Sequence, residues 1–190
     1  MNLTPCIVQD FRTGEVLTLA YMNDEALRRT RESGELWFWS RSRQELWHKG
    51  ETSGHVMRLR ALRYDCDDDT YLAVVDPAGP ACHTGERTCF YRGDMDVSPA
   101  EALPTLERTV AERRGADEEK SYTAALLAHP EGIGAKLEEE AEETARAARE
   151  ESDERVAEEA ADVLYHLTVL LASRGLGLAD AYEVLNGRRR

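Results

Sequence analysis

The pattern of apolar and polar positions changes character halfway along the chain. Up to about Gly93, short runs of β-branched and aromatic residues are separated by turn residues. Ile7 to Gln9 and Val16 to Tyr21 read as strands around a turn at Thr13-Gly14. Leu36 to Ser40, Val56 to Cys66, Tyr71 to Asp76 and Thr88 to Arg92 also have strand composition. One helix interrupts them: Asn23 and Asp24 are capping residues, Glu25 to Glu32 suits a helix, and Gly34 ends it. Asp76-Pro77-Ala78-Gly79-Pro80 is a turn cluster.

Beyond Ser98-Pro99, a cap followed by proline at the first helical position, the composition becomes helical. Helices are expected near Pro99 to Arg113, Ser121 to Ala128, Ile133 to Glu151, Glu154 to Ser173 and Leu178 to Asn186. The reading is an α+β, strand-rich N-terminal domain over residues 1–97 and an all-α C-terminal domain over residues 98–190. The boundary falls at about Asp94 to Ser98.

Charge supports that division. From Ser98 onward there are 21 Asp and Glu against 12 Lys and Arg, a net of −9, which leaves −4 of the total −13 for the first part. An acidic chain argues against nucleic-acid binding, because phosphate needs clustered Lys and Arg. No segment is apolar and long enough for a membrane span, and Met1 to Gln9 lacks the basic and apolar regions of a signal peptide. The expected compartment is the cytoplasm, where the four cysteines serve as thiols or metal ligands.

Cys66, Cys82 and Cys89 form the first constellation. Three thiolates suit tetrahedral zinc and leave a fourth position open, as in a catalytic site, although buried free cysteines are also common and no Cys-x-x-Cys knuckle is present. Cys6, among other surroundings, reads as packing. Asp65, Asp67 and Asp69 alternate, so on an extended strand they face one way and Cys66 the other. A hard oxygen site of that kind suits magnesium or calcium; a calcium loop is rejected because Thr70 stands where its glycine belongs. His48, His55 and His83 lie in polar segments read as loops, and His83 adjoins a candidate zinc ligand, where it can move protons. Arg41, Ser42, Arg43 and Lys49 are candidate phosphate and ribose contacts.

Val8-Gln9-Asp10, Thr13-Gly14-Glu15-Val16-Leu17, Ala20-Tyr21-Met22-Asn23, Phe38-Trp39-Ser40-Arg41-Ser42-Arg43 and Lys49-Gly50-Glu51 resemble the phosphoribosyl-AMP cyclohydrolase family. So do Ser53-Gly54-His55, Asp65-Cys66-Asp67-x-Asp69 and Gly79-Pro80-Ala81-Cys82-His83-Thr84-Gly85 with Cys89-Phe90. The match spans nearly all of residues 2–93. The resemblance implies zinc at Cys66, Cys82 and Cys89 and magnesium at Asp65, Asp67 and Asp69. It also implies a homodimer whose two subunits share the zinc ligands. Zinc-activated hydroxide would attack the six-position carbon of an N1-substituted adenine and open the ring, with His83 or His55 as proton shuttle.

The helical half carries a second constellation. Glu139 and Glu143, like Glu140 and Glu143, share a helix face, and Glu159 and Asp162 repeat the three-residue spacing on an otherwise apolar helix. Like charges that close repel, and a divalent cation between antiparallel helices relieves them; oxygen ligands favour magnesium. A run of glutamates alone reads as solvated surface; the second helix shifts the balance. A di-iron bundle is set aside because the Glu-x-x-His pairs are lacking, His166 lying four residues after Asp162. Ser121-Tyr122-Thr123-Ala124, Lys136-Leu137-x-Glu139-Glu140-Ala141-x-Glu143 and Glu159-Ala160-Ala161-Asp162-Val163-Leu164-Tyr165-His166-Leu167 resemble phosphoribosyl-ATP pyrophosphatase, one of the all-α nucleoside-triphosphate pyrophosphohydrolases. That implies water attack between the α and β phosphates, with magnesium clamping them. Lys136 or Lys120 is a candidate to neutralise phosphate charge, each also reading as a surface lysine.

The two implied activities are consecutive steps of histidine biosynthesis on phosphoribosyl-adenine nucleotides. The rival is a house-cleaning nucleotide pyrophosphatase fused to a structural zinc module. A non-enzymatic reading, an interaction bundle with a cysteine folding clip, fits the paired carboxylates and the open three-cysteine count less well.

Overall fold

A computed structural model describes residues 3–94 and 98–189. Contacts divide the chain into two compact units, Met1–Asp96 and Val97–Arg190. The boundary expected around Asp94 to Ser98 falls mostly on residues 95–97, which lie outside the described residues.

The first unit runs β1 (Thr4–Asp10), β2 (Val16–Met22), α1 (Asp24–Ser33), β3 (Trp37–Ser40), β4 (Glu45–His48), β5 (Met57–Tyr64) and β6 (Tyr71–Pro77). Four strands form one sheet in the order β2-β1-β6-β5, with β1 and β6 parallel and the other neighbours antiparallel. On the interior strand β6, Ala73, Val74 and Val75 are buried in succession, as cover on both faces requires. On β1 burial alternates, and Cys6, Val8 and Asp10 point inward. Helix α1 starts where the Asn23 side chain accepts from the Ala26 N–H at 2.8 Å and stops at Gly34, whose φ of 71° suits glycine. Its Thr30 hydroxyl, fully buried, accepts from the Trp37 N–H at 2.9 Å and so fixes the start of β3. Leu17, Met22, Leu36, Phe38 and Met57 complete the core.

Four expectations need correction. Glu45 to His48 is a strand that its composition does not announce; it forms a two-stranded ribbon with β3, pairing Phe38 with Trp47. His48 therefore sits on a strand rather than in a loop, 2.9 Å from Glu35 and stacked on Trp37. The strand expected to reach Cys66 ends at Tyr64, because Asp65 to Asp69 make the β5–β6 turn, with Asp68 at a φ of 60°. Strand alternation thus does not apply to Asp65, Cys66, Asp67 and Asp69. Thr88 to Arg92 is not a strand either. Instead of a ladder, it has a bond from the Cys89 N–H to the Leu17 carbonyl (2.7 Å) and one from the Thr88 hydroxyl to the Val16 carbonyl (2.8 Å).

The second unit opens with one 3-10 turn, Pro99–Glu101, then α2 (Ala102–Glu112), α3 (Tyr122–Ala128), α4 (Ile133–Glu150), α5 (Asp153–Ser173) and α6 (Leu178–Gly187). Ser98, Ser121 and Ser152 cap their helices by accepting from Ala100, Ala124 and Arg155 N–H groups. Helices α4 and α5 are joined by only two residues and pack along each other as a hairpin. Val110, Ile133 and Val169 form the buried centre, with Leu106, Leu126, Leu127 and Tyr165 around it. Glu107 accepts from the Leu178 N–H at 2.6 Å and anchors the start of α6.

Gly50 sits at φ 90°, and a Cβ there would lie 2.4 Å from the backbone of His55 and Val56. Gly50→Ala is expected to destabilise the first unit by at least about 2 kcal/mol, read by denaturant unfolding; wild-type stability would contradict that backbone geometry.

Candidate active sites

The first candidate site is a cleft of about 280 Å³ lined by Trp47, Lys49, Gly50, His55, Cys82 and His83, among others. The turn after β6 delivers Cys82, and the segment bonded to β2 delivers Cys89. Their thiols lie within hydrogen-bonding reach of each other. The Thr84 hydroxyl donates to the Cys82 sulfur at 3.0 Å, and this bond with neighbouring backbone N–H groups lowers the Cys82 pKa. Cys89 is exposed as a residue, yet partial burial of its thiol, opposed by Thr18, raises its pKa.

Lys49 is buried beside these sulfurs, 6% exposed. Burial lowers the pKa of its ammonium, while Cys89 and Cys82 in their charged forms counter that. His83 Nδ1 is 3.9 Å from the Cys82 sulfur. His55 packs against Gly79, where an added Cβ would come within 2.6 Å of the imidazole; the glycine keeps room for that ring. Arg41, Ser42 and Arg43 lie outside this cleft. Arg41 and Ser42 line an open groove with Tyr21 and Trp39, and the Arg41 guanidinium lies 3.8 Å from the centre of the Tyr21 ring. Arg43 pairs with Glu45 at 3.1 Å.

Asp65, Asp67 and Asp69 converge through the turn, with carboxylate oxygens within 4.8 Å of one another. Asp65 loses some hydration, which alone would raise its pKa. The N–H groups of Thr70 and Asp69, 3.1 and 3.0 Å from its Oδ1, more than offset this and hold it below the usual range. Cys66 is exposed in the same turn, its sulfur 3.8 Å from Asp67. Among the described residues, Cys66, Cys82 and Cys89 of one chain do not make a convergent group.

The second candidate site lies on the α4–α5 hairpin. Glu140 of α4 and Glu159 and Asp162 of α5 bring carboxylate oxygens within 4.8 Å of one another. Glu159 is 3% exposed and paired with Arg155. Glu139 and Glu143 are engaged elsewhere: Lys136 holds Glu139 at 2.6 Å and depresses its pKa, and Arg146 lies 3.4 Å from Glu143. A group given no role from the sequence adjoins the carboxylates. His166, 5% exposed, has Nδ1 3.0 Å from the Asp162 carbonyl and 3.8 Å from the Glu140 carboxylate, and Nε2 3.3 Å from the Tyr122 hydroxyl. The Thr123 and Tyr165 hydroxyls bond at 2.7 Å. The signal was in the quoted motifs, Tyr122-Thr123 and Tyr165-His166, but not the pairing between them.

Residues 18–91 match the family model described as phosphoribosyl-AMP cyclohydrolase, and residues 103–189 match that of phosphoribosyl-ATP pyrophosphohydrolase. The chain therefore joins two hydrolase domains, each containing one of these sites. Among similar proteins, the histidine biosynthesis bifunctional protein HisIE of Gloeobacter violaceus is 52% identical over 100% of this chain and 88% of its own length. The proteins of the same name from Bacillus subtilis (47% identical; 98% of this chain, 91% of that protein) and Vibrio cholerae (46%; 100% and 90%) agree. The chain belongs to this family of bifunctional histidine biosynthesis enzymes.

Burial pushes the Cys6 thiol from 9.0 up to about 12, so at pH 8 it stays protonated and poorly nucleophilic. In metal-free protein a disulfide reagent at pH 8 is expected to label exposed Cys66 quickly and Cys6 only after unfolding. Labelling of Cys6 at the Cys66 rate in the native state would contradict the core placement.

Proposed function

We propose that the helical unit hydrolyses phosphoribosyl-ATP to phosphoribosyl-AMP and pyrophosphate using magnesium, and that the strand-rich unit then opens the adenine ring of phosphoribosyl-AMP using zinc. The observation that carries the first step is the meeting of Glu140, Glu159 and Asp162 across two helices. Three carboxylates at that spacing repel, and their oxygens are the ligand type that magnesium takes. We assign magnesium to these three, with Glu139 and Glu143 as flanking members of the acidic face. Magnesium, when bound, supplies charge neutralisation for the phosphates. Lys136, at the same end of α4, releases Glu139 to meet a phosphate oxygen. Phosphoribosyl-adenine nucleotides are thereby oriented with their phosphates toward the carboxylates.

For ring opening, the donor set of Cys82, Cys89 and Cys66 suits zinc, a borderline-soft ion. Cys82 and Cys89 are adjacent in one chain, and the Thr84 hydroxyl and neighbouring backbone favour the charged form of Cys82; Cys66 lies apart from them. That arrangement supports a homodimer in which the partner's turn brings the third thiol. Zinc, when bound, supplies Lewis acidity at this point. His83 and His55, which line the cleft, carry protons to and from the ring, and Lys49 lines the same cleft. Asp65, Asp67 and Asp69 are the candidate magnesium ligands of this unit. Arg41 and Ser42 meet the substrate's phosphate and ribose from the neighbouring groove, and Arg43 joins them on release from Glu45. We place the enzyme in the cytoplasm, where thiols stay reduced; among the described residues no helix is long and apolar enough to cross a membrane.

The test supplies phosphoribosyl-ATP, zinc and magnesium to the full chain and identifies products by mass. Asp162→Asn is expected to cut pyrophosphate release about 100-fold while ring opening of supplied phosphoribosyl-AMP persists. Cys82→Ser is expected to do the converse, with phosphoribosyl-AMP accumulating. Equal turnover of ordinary ATP, without a ring-opened product, would favour the house-cleaning pyrophosphatase instead.

A further inference from the structure

We propose that Tyr122 is the residue by which the pyrophosphohydrolase site recognises the purine of its substrate, and that His166 is its positioning residue. The inference rests on the assignment of phosphoribosyl-ATP hydrolysis to the α4–α5 carboxylates.

Tyr122 opens α3 and is 56% exposed, although its hydroxyl is tied inward. Its ring lies nearly parallel to that of Tyr165, 18° apart with centroids separated by 6.3 Å, and edge-on to His166. The direction of the hydrogen bonds follows from what each group can do. The Asp162 carbonyl only accepts, so His166 Nδ1 carries the hydrogen of that 3.0 Å bond. In the neutral ring, Nε2 then has a lone pair, and the Tyr122 hydroxyl must be the donor at 3.3 Å. One imidazole therefore links the Tyr122 ring to the backbone of Asp162, and the same nitrogen that bonds Asp162 faces the Glu140 carboxylate at 3.8 Å. The position of the aromatic ring is set relative to the backbone of Asp162 and the carboxylate of Glu140.

Such a ring does not suit phosphate. Its hydroxyl proton is committed to His166, and its face carries negative quadrupolar charge. It does suit the other end of the substrate. Substitution at N1 turns adenine into an amidine, a stronger base than adenine itself, so the ring carries positive charge near neutral pH. A flat cation over an exposed tyrosine gains both stacking and cation–π attraction. With phosphates at the carboxylates, the purine of the same molecule meets Tyr122, and ordinary ATP, with its neutral adenine, gains less. Tyr122 thereby determines specificity without touching the reacting phosphorus.

The experiment measures steady-state pyrophosphate release by the full-length chain from phosphoribosyl-ATP, with magnesium tripolyphosphate as a base-free competitive inhibitor. Tyr122→Ala is expected to raise KM about tenfold, leave kcat within about threefold, leave the tripolyphosphate inhibition constant unchanged and reduce discrimination against ATP. Tyr122→Phe keeps the ring but frees it, and is expected to raise KM about threefold. His166→Asn is expected to match Tyr122→Phe and to add nothing in the Tyr122→Phe background, a non-additivity that a merely structural histidine does not produce. Unchanged KM in Tyr122→Ala overturns the inference. So does an equal loss of phosphoribosyl-ATP and tripolyphosphate affinity, which would place the residue at the phosphates, or a change of oligomeric state, which would mean that a second copy covers the ring. Failure of the wild-type chain to release pyrophosphate from phosphoribosyl-ATP overturns the underlying assignment as well, and so is distinguishable from the failure of the Tyr122 inference alone.

Discussion

A carboxylate withdrawn from water sets the constraint on the helical unit. Glu159 is almost fully buried, and burying an isolated charge costs several kcal/mol unless it is compensated. Arg155, one turn earlier on the same helix, supplies one counter-charge. Glu140 and Asp162 then add two like charges within 4.8 Å, a repulsion that a divalent cation would relieve. Much of what surrounds them follows from holding this arrangement. The two-residue connection forces α4 back along α5, and Ser152 caps α5 one turn before Arg155. His166 stands beside Glu140, 3.8 Å away, with its Nδ1 hydrogen given to the Asp162 carbonyl.

The strand-rich unit obeys the same logic with softer ligands. Thiols are tolerable core residues, as Cys6 demonstrates by staying protonated among apolar neighbours. Cys82 differs because Thr84 and the backbone around it donate to its sulfur, which favours the charged form. Burial of Lys49 next to the same sulfurs places a cation where negative charge collects. Donors around the sulfur thus separate Cys82, shifted towards its charged form, from Cys6, a packing thiol.

Much of the fold was legible in the sequence because local signals agreed with tertiary ones. Asn23 and Gly34 bound α1, and Ser98 and Ser121 mark two helical starts. The misses share a cause. β4 is four residues long with one strongly apolar pair, and its pairing with β3 decides its state. Asp65 to Asp69 alternate as a strand would, yet Asp68 adopts a positive φ and makes a turn; the three aspartates meet by turning, not by alternation. Thr88 to Arg92 has strand composition but bonds the edge of β2 at isolated points. In the helices, spacing showed which glutamates share a face. It did not show that Glu140, rather than Glu139 about 100° around the helix, faces α5, since that depends on how the two helices are rotated against each other.

The central claim is that Glu140, Glu159 and Asp162 form a divalent-cation site. The most direct measurement is titration of the metal-free, full-length chain with Mn²⁺, followed by electron paramagnetic resonance, for the wild type and for Glu140→Gln/Asp162→Asn. The account predicts that the double variant, folded by circular dichroism, loses one bound Mn²⁺ per chain while binding at the remaining acidic turn persists. Identical stoichiometry and affinity in the two proteins would contradict it.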